Sequence, residues 1–371
     1  MIGGDVMPKI ITFFNNKGGV AKTTNTWNIG HELGCLGKKI LLVDFDPQCN
    51  LSIAMIGNDE LQSAMSITTE APQGKTIKTF LQGVLQGSNN KECHLFKGKH
   101  TSANVDLIVG DFWLNIYSDS LSVGADILTG HGLRKYVALR ELVSCAEAKQ
   151  GYEYDFVIID LPPSFGALVR ATFYSSDYFI VPCTSDTFCS YCVGLIGEMI
   201  PLFIKDWDDG LKRYQQASNN DSAFDSFGKP KFAGWVFNSF DTSRIRRTAQ
   251  EIEDGVPEKE KVLQQADETL KDHIKKSILN DLVGNLKKIN EYNAVVENPG
   301  LDSFYFGGIE DANVLTQNSV WLNVPLGELK NHRQVVDLQN RRAWAANQLA
   351  QIELLKSAHK DIAEKIIRIC L

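Results

Sequence analysis

The stretch Lys17-Gly-Gly-Val-Ala-Lys-Thr-Thr24, directly after the apolar run Lys9-Ile-Ile-Thr-Phe-Phe14, decides the fold. A buried strand followed by glycines, and then by Lys-Thr at the start of a helix, predicts a phosphate-binding loop. Backbone N–H groups of such a loop point at the anion, and the helix dipole favours negative charge there. In this arrangement Lys22 reaches the β- and γ-phosphates of a nucleotide, and the Thr23 hydroxyl binds Mg²⁺.

The loop departs from the general pattern G-x-x-x-x-G-K-[ST], because Asn16 and Ala21 occupy its two glycine positions. A second lysine, Lys17, stands at the start of the loop and makes up for that departure. The methyl group of Ala21 crowds the phosphates, and a positive φ at this residue would add strain of about 1 kcal/mol or more. We therefore expect a nucleotide to bind and to turn over slowly.

A second motif is Ile40-Leu-Leu-Val-Asp-Phe-Asp-Pro-Gln-Cys-Asn50. Asp44 and Asp46 lie two residues apart at the end of a predicted strand, so their side chains point to the same side. The carboxyl end of a strand is where ligands bind in open α/β folds. Two crowded carboxylates are costly unless a cation or a polarised water compensates them. The motif therefore predicts a site for a metal ion and a water molecule.

A third motif is Tyr154-Asp-Phe-Val-Ile-Ile-Asp-Leu-Pro-Pro-Ser-Phe-Gly166. An apolar strand that ends in an aspartate is the Walker B arrangement, in which Asp160 holds Mg²⁺ through a bound water. The three motifs all lie at predicted strand ends. They predict one Mg²⁺–nucleotide site at one edge of a parallel sheet.

Together these motifs resemble those of the ParA/MinD family of ATPases, whose deviant Walker A loop has the form K-G-G-x-x-K-[ST] and whose second motif has the form D-x-D-P-Q. The resemblance implies ATP and Mg²⁺ as ligands and a dimer in which Lys17 reaches the nucleotide held by the partner subunit. It also implies that Asp46 positions the attacking water and that Asp44 supports the hydration shell of the metal. The segment Pro162–Gly166 is similar to the family's switch segment, which senses the γ-phosphate.

The resemblance extends to the nucleoside. Asn238 ends a strand where relatives place an asparagine that recognises the adenine edge, and two hydrogen bonds to a base edge give real discrimination. Val324-Pro-Leu326 is similar to the family segment that borders the base. The predicted nucleotide ligands are Gly18, Gly19, Val20, Ala21, Lys22, Thr23, Thr24 and Asn238; the predicted metal ligands are Thr23, Asp44 and Asp160; and the predicted catalytic residues are Lys17, Lys22 and Asp46.

The alternation of short apolar runs with helical patterns predicts a doubly wound, mostly parallel α/β sheet flanked by helices, with a long C-terminal helix. Predicted strands are Lys9–Phe14, Lys39–Phe45, Val105–Val109, Tyr154–Asp160, Tyr178–Pro182, Lys231–Asn238 and Val320–Val324. Predicted helices are Lys22–Cys35, Leu133–Ala148, Gly166–Ser175 and Cys189–Ile204, together with the charged stretch 242–292 and the amphipathic stretch Leu338–Leu371.

The length of 371 residues is compatible with one large α/β domain, and we expect residues 1–371 to form a single P-loop domain. Three stretches exceed the compact family pattern and are interpreted as insertions: 51–103, 205–230 and 246–317. We expect 57–103 to be irregular and 205–230 to be an exposed loop, because both are rich in polar and turn-forming residues.

Composition limits the partners. A net charge of −7 argues against a surface coated in positive charge, although residues 321–371 carry eight Lys/Arg against five Asp/Glu. No segment approaches 18 uninterrupted apolar residues, so no stable membrane insertion is expected. Met1–Met7 lacks the features of a signal peptide, and eight scattered cysteines suit a reducing compartment, so we expect a cytoplasmic protein. Cys189 and Cys192 form a lone C-x-x-C that we interpret as buried thiols.

The sequence-based hypothesis is an ATPase that binds Mg·ATP and acts as a slow switch by forming a nucleotide-sandwich dimer. The resemblance implies that such a dimer positions or partitions plasmid or chromosomal DNA, or another cargo, through non-specific DNA binding. A regulatory or anti-phage defence ATPase that controls a protein effector through its added helices is the alternative. A membrane-cycling relative or a metabolic enzyme of the same fold also remains open.

Overall fold

The structure, a computed structural model, describes residues 7–122, 131–244, 261–297, 299–337 and 340–371. Seven strands within these residues form one sheet in which every pairing is parallel. They are β1 (Lys9–Phe13), β2 (Ile40–Asp44), β3 (Val105–Ile108), β4 (Phe156–Asp160), β5 (Tyr178–Thr184), β6 (Lys231–Phe240) and β7 (Tyr305–Glu310).

The strand order is β3-β2-β4-β1-β5-β6-β7. The central strand β1 therefore lies between β4 and β5, and the loop after β1 opens at the carboxyl edge between its two neighbours. Two short antiparallel pairs lie outside the sheet, Thr242–Arg244 with Lys261–Leu263 and Gln334–Val335 with Arg341–Arg342. The topology places the ends of the central strands where a ligand can contact all of them.

Helices cover both faces of the sheet. The first nine are α1 (Lys22–Cys35), α2 (Asn50–Ile56), α3 (Asn58–Met65), α4 (Ile77–Leu85), α5 (Leu114–Ser122), α6 (His131–Tyr136), α7 (Ala138–Gln150), α8 (Ala167–Ser175) and α9 (Thr187–Ala217). They are followed by α10 (Gln265–Ser277), which continues as a π-helical turn over Ile278–Val283 and a last turn over Gly284–Leu286, by α11 (Val314–Leu322) and by α12 (Ala346–Cys370). Short 3₁₀ segments cover Asp302–Phe304 and Leu326–Asn331.

Successive residues of each strand enter different cores. Leu41 and Val43 of β2 pack into the core on one face of the sheet, whereas Ile40 and Leu42 pack into the core on the other. Both faces are covered, so a strand needs apolar residues at every position. This explains why the strand sequences lack the polar alternation of a half-exposed sheet.

The predicted fold class is confirmed, and six of the seven predicted strands correspond to β1 to β6. The seventh, Val320–Val324, is wrong: its first part ends helix α11, and Asn323 follows in the left-handed conformation with φ 55°. A short, mostly apolar run has the same appearance in a strand and in the last turn of a helix, so the sequence could not separate them.

The strand that the sequence analysis missed is β7, which completes the sheet beside β6. Its sequence Tyr305-Phe-Gly-Gly-Ile-Glu310 contains two glycines, which weaken a strand pattern. The chain approaches β6 closely just before this strand, because a Cβ at Gly234 would lie 2.3 Å from the Phe304 carbonyl oxygen. Glycine is therefore required at residue 234.

The expectation of an exposed loop over 205–230 is wrong for its first half, because α9 continues to Ala217. Trp207, Leu211 and Tyr214 recur at helical spacing and are buried in the core. The intervening Asp208-Asp-Gly210 hid this periodicity. α9 also meets the length and composition of a membrane-spanning helix, but part of its apolar surface, including Val193, Ile196 and Ile200, is buried in the core.

Residues 57–103 are less irregular than expected, since α3 and α4 lie within them and α4 buries Ile77, Phe80, Leu81 and Val84. The stretch 242–292 is helical over α10 and the turns that follow it. It also contributes the strand pair Thr242–Arg244 and Lys261–Leu263, which was not predicted. Residues 1–6, 123–130, 245–260, 298 and 338–339 lie outside the described residues, and with them the first residues of the chain, part of the predicted 246–317 insertion and the predicted start of the C-terminal helix.

The long C-terminal helix is confirmed as α12, but it begins at Ala346, and the predicted helical stretch contains the short strand Arg341–Arg342 before it. It packs on α1 and on the 3₁₀ segment Leu326–Asn331. Ile352, Leu355 and Ile362 on its apolar face are at most 1% exposed. The C-terminal segment thereby supports the helix that begins at the phosphate loop.

Candidate functional site

The loop after β1 has the geometry of a phosphate cradle. Gly19 has φ 74°, and Ala21, the N-cap residue of α1, has φ 64° and ψ 28°. A Cβ built at Gly18 or Gly19 meets no atom within 4 Å, so the space over this backbone is open. Val20 is completely buried and anchors the loop. The backbone can therefore approach an anion closely at the N-terminus of α1.

Lys22, the first residue of α1, folds back over the loop. Its Nζ donates hydrogen bonds to the carbonyl oxygens of Asn15, at 3.0 Å, and Lys17, at 2.9 Å. Burial lowers the pKa of Lys22 to about 8, while the charges of Asp160 and Asp46 act in the opposite direction. A polyphosphate would supply the negative charge that this desolvated ammonium lacks.

Asp160 ends β4 directly beside α1. Its Oδ2 accepts a hydrogen bond from the Thr23 hydroxyl at 2.7 Å. Its Oδ1 is buried and has no hydrogen-bond partner among the described residues. Burial raises the pKa of Asp160 to about 8, and the neighbouring charge of Asp44 adds to the effect. A free carboxylate oxygen next to a hydroxyl is a donor set that fits Mg²⁺, which prefers hard oxygen ligands.

Asp44 and Asp46 differ in their surroundings. Asp44 is completely buried, and its Oδ2 accepts hydrogen bonds from Ser52 N at 2.8 Å and Ser52 Oγ at 2.6 Å. Burial raises the pKa of Asp44 to about 6, although these hydrogen bonds oppose the shift. Asp46 faces the cavity described below, and its Oδ1 accepts a hydrogen bond from Gln48 N at 2.9 Å. Burial raises the pKa of Asp46 as well.

Asn238, near the end of β6, is 1% exposed. Its Nδ2 lies 3.4 Å from the carbonyl oxygens of Cys183 and Val236, and both contacts are long for hydrogen bonds. Its Oδ1 is buried without a partner among the described residues. A buried amide oxygen without a donor is costly, so this side chain is suited to accept a hydrogen bond from a ligand.

These elements converge on one cavity of about 450 Å³. That volume lies within the range of small-molecule sites. The predicted residues that line it are Gly18, Gly19, Val20, Ala21, Lys22, Thr23, Thr24, Asp46 and Asn238. Asp160 and Asp44 stand next to each other on paired strands at its base, where Asp160 contacts Thr23.

Lys17 has a different position. Its Nζ is ion-paired with the Asp186 carboxylate and lies 3.3 Å from the Thr184 hydroxyl oxygen. Asp186 is also the N-cap of α9, since its Oδ1 accepts hydrogen bonds from Phe188 N and Cys189 N, both at 3.1 Å. The lysine side chain remains 24% exposed. Within the single chain, Lys17 is thus held by the residue that begins α9.

Sequence reasoning missed several residues that line the cavity beside Asn238. The segment Ile309–Ala312, which comprises the last two residues of the unrecognised β7 and the two residues after it, lines the cavity together with Ser239 and Thr316. Leu326, in the predicted base-bordering segment, also lines it and donates its N–H to Asn28 Oδ1 at 2.7 Å. The polar residues Glu310-Asp311 after the apolar Ile309 were the available signal for a strand end, but Gly307 and Gly308 before them concealed the strand.

The sequence matches a protein family described as an AAA domain over residues 8–212, which is more than half of the chain. The chain belongs to this AAA-domain family. The matched residues of this AAA-domain chain include the phosphate loop, Asp46 and Asp160, and they end within α9.

Two curated relatives show which members of the family this AAA-domain chain resembles. It is 28% identical over 176 residues to the sporulation initiation inhibitor protein Soj of Bacillus subtilis, covering 47% of this chain and 58% of Soj. It is 29% identical over 184 residues to the chromosome partitioning protein ParA of Caulobacter vibrioides, covering 48% of this chain and 57% of ParA. The chain thus spans under three fifths of the length of these relatives, and it is a ParA-like P-loop protein.

The fold of the AAA-domain chain is also similar to a solved structure. Protein DIP2308 from Corynebacterium diphtheriae superposes with a TM-score of 0.60 at 20% identity, covering 85% of this chain and 97% of the other. The similarity concerns the fold. It extends beyond the matched family residues to the C-terminal half of the chain.

Proposed function

We propose that this chain is a ParA-like ATPase that binds Mg·ATP, hydrolyses it slowly and closes into a dimer around the nucleotide. The observation that carries the proposal is the convergence of the phosphate loop, Asp46 and Asn238 on one cavity of about 450 Å³. The cavity offers an anion site at one end and an unpartnered amide at the other. A nucleoside triphosphate has the matching polarity along its length.

Lys22 and the amides of Gly18–Thr24 hold the phosphates in this proposal. Thr23 and Asp160 would hold Mg²⁺, which offsets the negative charge of the phosphates. The unpartnered Asp160 Oδ1 and the raised pKa of this carboxyl support that assignment, because a cation removes the cost of burying the charge. Asp44, whose Oδ2 is already hydrogen-bonded to Ser52, lies opposite Asp160 on the neighbouring strand and would support the hydration shell of Mg²⁺.

Hydrolysis proceeds by in-line attack of water on the γ-phosphate. Asp46 is positioned to orient that water, since its carboxylate faces the cavity next to the loop and Gln48 N fixes one of its oxygens. Lys17 of the partner subunit would offset the charge that develops in the transition state. The strained Ala21 makes the loop less well adapted to the phosphates, which agrees with slow turnover.

The surface around Lys17 is suited to a second copy of the chain. Phe188 and Tyr191, in the first turns of α9 after Asp186, are 55% and 58% exposed. Their ring centroids lie 5.4 Å apart and form an exposed aromatic pair. Covering such a pair removes apolar surface from water and is favourable. A dimer through this face would bring Lys17 towards the opposite nucleotide.

Light scattering with and without Mg·ATP tests the dimer, and phosphate release tests the activity. We expect a dimer only with ATP. We also expect Lys17→Ala to keep nucleotide binding but lose dimer-dependent hydrolysis, and Lys22→Ala to lose ATP affinity by at least about tenfold. Lys38→Ala, at a lysine paired with Asp155 and away from the cavity, is the control. A parent protein that stays monomeric with ATP contradicts the model.

The proposed role is the positioning or partition of DNA in the cytoplasm, by analogy with the chromosome partitioning protein ParA of Caulobacter vibrioides. Residues 321–371 carry eight Lys/Arg against five Asp/Glu. This excess of positive charge supports contacts with the phosphate backbone of DNA. Retention on non-specific DNA should require ATP and fall steeply with salt, as counterion release demands. If the protein forms ATP-dependent dimers that do not bind DNA but do retain a co-purified protein, the effector-binding alternative is favoured.

A further inference from the structure

Two cysteines that are far apart in the sequence have side chains in contact in the fold. Cys93 lies in the connection between α4 and β3, and Cys145 lies on α7. Their Sγ atoms are 3.0 Å apart. The pair has no part in the nucleotide cavity described above. It joins a segment of the predicted 51–103 insertion to a helix of the main fold.

Three further contacts hold the Cys93 segment on α7. Lys149 Nζ donates a hydrogen bond to the Cys93 carbonyl oxygen at 2.7 Å. Cys145 Sγ lies 3.5 Å from the Lys91 carbonyl oxygen, and Lys91 is ion-paired with Glu141 at 3.1 Å. The segment is therefore already docked, and the two sulfurs can approach bonding distance with little backbone movement.

The two thiols differ in accessibility. Cys145 is half-buried, so a small oxidant can reach it, whereas Cys93 is 2% exposed. The hydrogen bond between the Cys145 and Cys93 sulfurs lowers the pKa of Cys145 to about 7, and the nearby Lys149 ammonium adds to the effect. Cys145 is thus the more nucleophilic and accessible partner, and Cys93 stands behind it as the resolving thiol.

A second set of cysteines lies at the end of β5 and the start of α9, and it differs from the first pair. Cys183 and Cys189 are hydrogen-bonded to each other and completely buried, and Cys192 is buried beside them. These thiols have a close partner but no access for an oxidant. Cys35 has the opposite properties, since it is exposed and its sulfur contacts His31 Nε2 at 3.5 Å. Cys93 and Cys145 combine proximity with access.

We propose that Cys93 and Cys145 are an oxidative modification site that forms a reversible disulfide with a hydroperoxide as oxidant. The Cys145 thiolate attacks one peroxide oxygen, the O–O bond breaks, and hydroxide leaves as water after taking up the thiol proton. The Cys145 sulfenic acid is then attacked by the Cys93 sulfur, the S–O bond breaks, and the Cys93 proton leaves in a second water. Two thiols and one hydrogen peroxide thus give one disulfide and two waters, and a dithiol reverses the change.

The reduced full-length protein, freed of reductant, is treated with a small excess of hydrogen peroxide. The protein is then denatured, and its free thiols are counted with a chromogenic disulfide reagent. We expect the count to fall from the eight cysteines of the chain to six. A tryptic digest should contain one linked pair of peptides carrying Cys93 and Cys145, and dithiothreitol should release it. Unchanged thiol counts, or a linked pair that carries other cysteines, overturn the proposal.

Matched serine variants separate the two roles. Cys145→Ser should keep its seven thiols under peroxide, and Cys93→Ser should accumulate a Cys145 sulfenic acid that dimedone traps. Cys35→Ser, which removes the exposed thiol, should still lose two thiols. Circular dichroism confirms that each variant is folded before treatment. Loss of two thiols from folded Cys145→Ser would place the disulfide elsewhere and refute the assignment.

Discussion

The two ends of the nucleotide cavity differ in how the chain builds them. The phosphate end comes from one continuous stretch, Gly18–Thr24, with Asp46 and Asp160 at the ends of two buried strands. The nucleoside end is assembled from separate segments around Asn238, Ile309–Ala312 and Leu326. The first end is formed mainly by backbone groups of one loop. The second is formed mainly by side chains that the sheet brings together.

This difference separates the chemistry from the choice of ligand. The phosphate end contains the buried charges, with Asp160 and Lys22 both shifted in pKa by burial. The nucleoside end contains an amide whose oxygen lacks a partner. Variants at the first end should therefore change phosphate binding or turnover, and variants at the second should change which nucleotide binds.

The largest effect is expected for Asp46→Asn. Removal of a carboxylate that orients the attacking water typically lowers turnover by about 10²–10⁴-fold. The affinity for ATP should change little, because Lys22 and the loop amides remain. Single-turnover phosphate release and nucleotide titration measure the two quantities separately. Asp59→Asn, in the first turn of α3 and exposed, is the control. A loss of ATP affinity equal to the loss of turnover would assign Asp46 to binding instead.

The second effect is expected for Asn238→Ala at the nucleoside end. A hydrogen bond from a buried amide to a base edge is worth about 1–3 kcal/mol, which corresponds to about 5- to 150-fold in affinity. The preference for ATP over GTP should fall by that factor, while turnover at saturation stays the same. Competition titrations with the two nucleotides measure it. Asn115→Ala, at an exposed asparagine of α5, should leave the preference unchanged. An unaltered preference in Asn238→Ala would remove this residue from base recognition.

The same difference explains what the sequence could predict. The first predicted helix, Lys22–Cys35, has the same bounds as α1. The sequence marks its start clearly, because a glycine-rich loop comes directly before a helical pattern. Asn238 was predicted from a single strand end. Its neighbours at Ile309–Ala312 were not, because they depend on β7, whose two glycines weaken the strand signal.

Side-chain partners were the least predictable part of the site. The sequence places Asp44 next to Asp46 but cannot show that Ser52, eight residues later, satisfies Asp44. It likewise predicts a role for Lys17 in the partner subunit but not its ion pair with Asp186, 169 residues away. Such pairs form through tertiary structure, and neither residue type nor spacing encodes them.

A third, smaller effect is expected for Ala21→Gly at the phosphate end. The left-handed conformation with φ 64° costs alanine about 1 kcal/mol relative to glycine. Relief of that strain should raise ATP affinity or turnover by up to about fivefold. Ala103→Gly, at an exposed turn residue without a positive φ, should bring no gain. If Ala21→Gly leaves affinity and turnover unchanged, the strained loop does not limit either step.

The smallest effect is expected for Asp186→Asn, beside the cavity. Asparagine can still cap α9, but it lacks the charge that pairs with Lys17. A partly exposed ion pair is worth about 0.2–1 kcal/mol. Because Lys17 must leave Asp186 to reach the partner's nucleotide, the ATP-dependent dimer should tighten by up to about fivefold in light-scattering titrations. Asp209→Asn, which breaks the exposed pair with Lys205, should leave dimerisation unchanged. A weaker dimer in Asp186→Asn would mean that Asp186 stays on Lys17 and orients it across the interface.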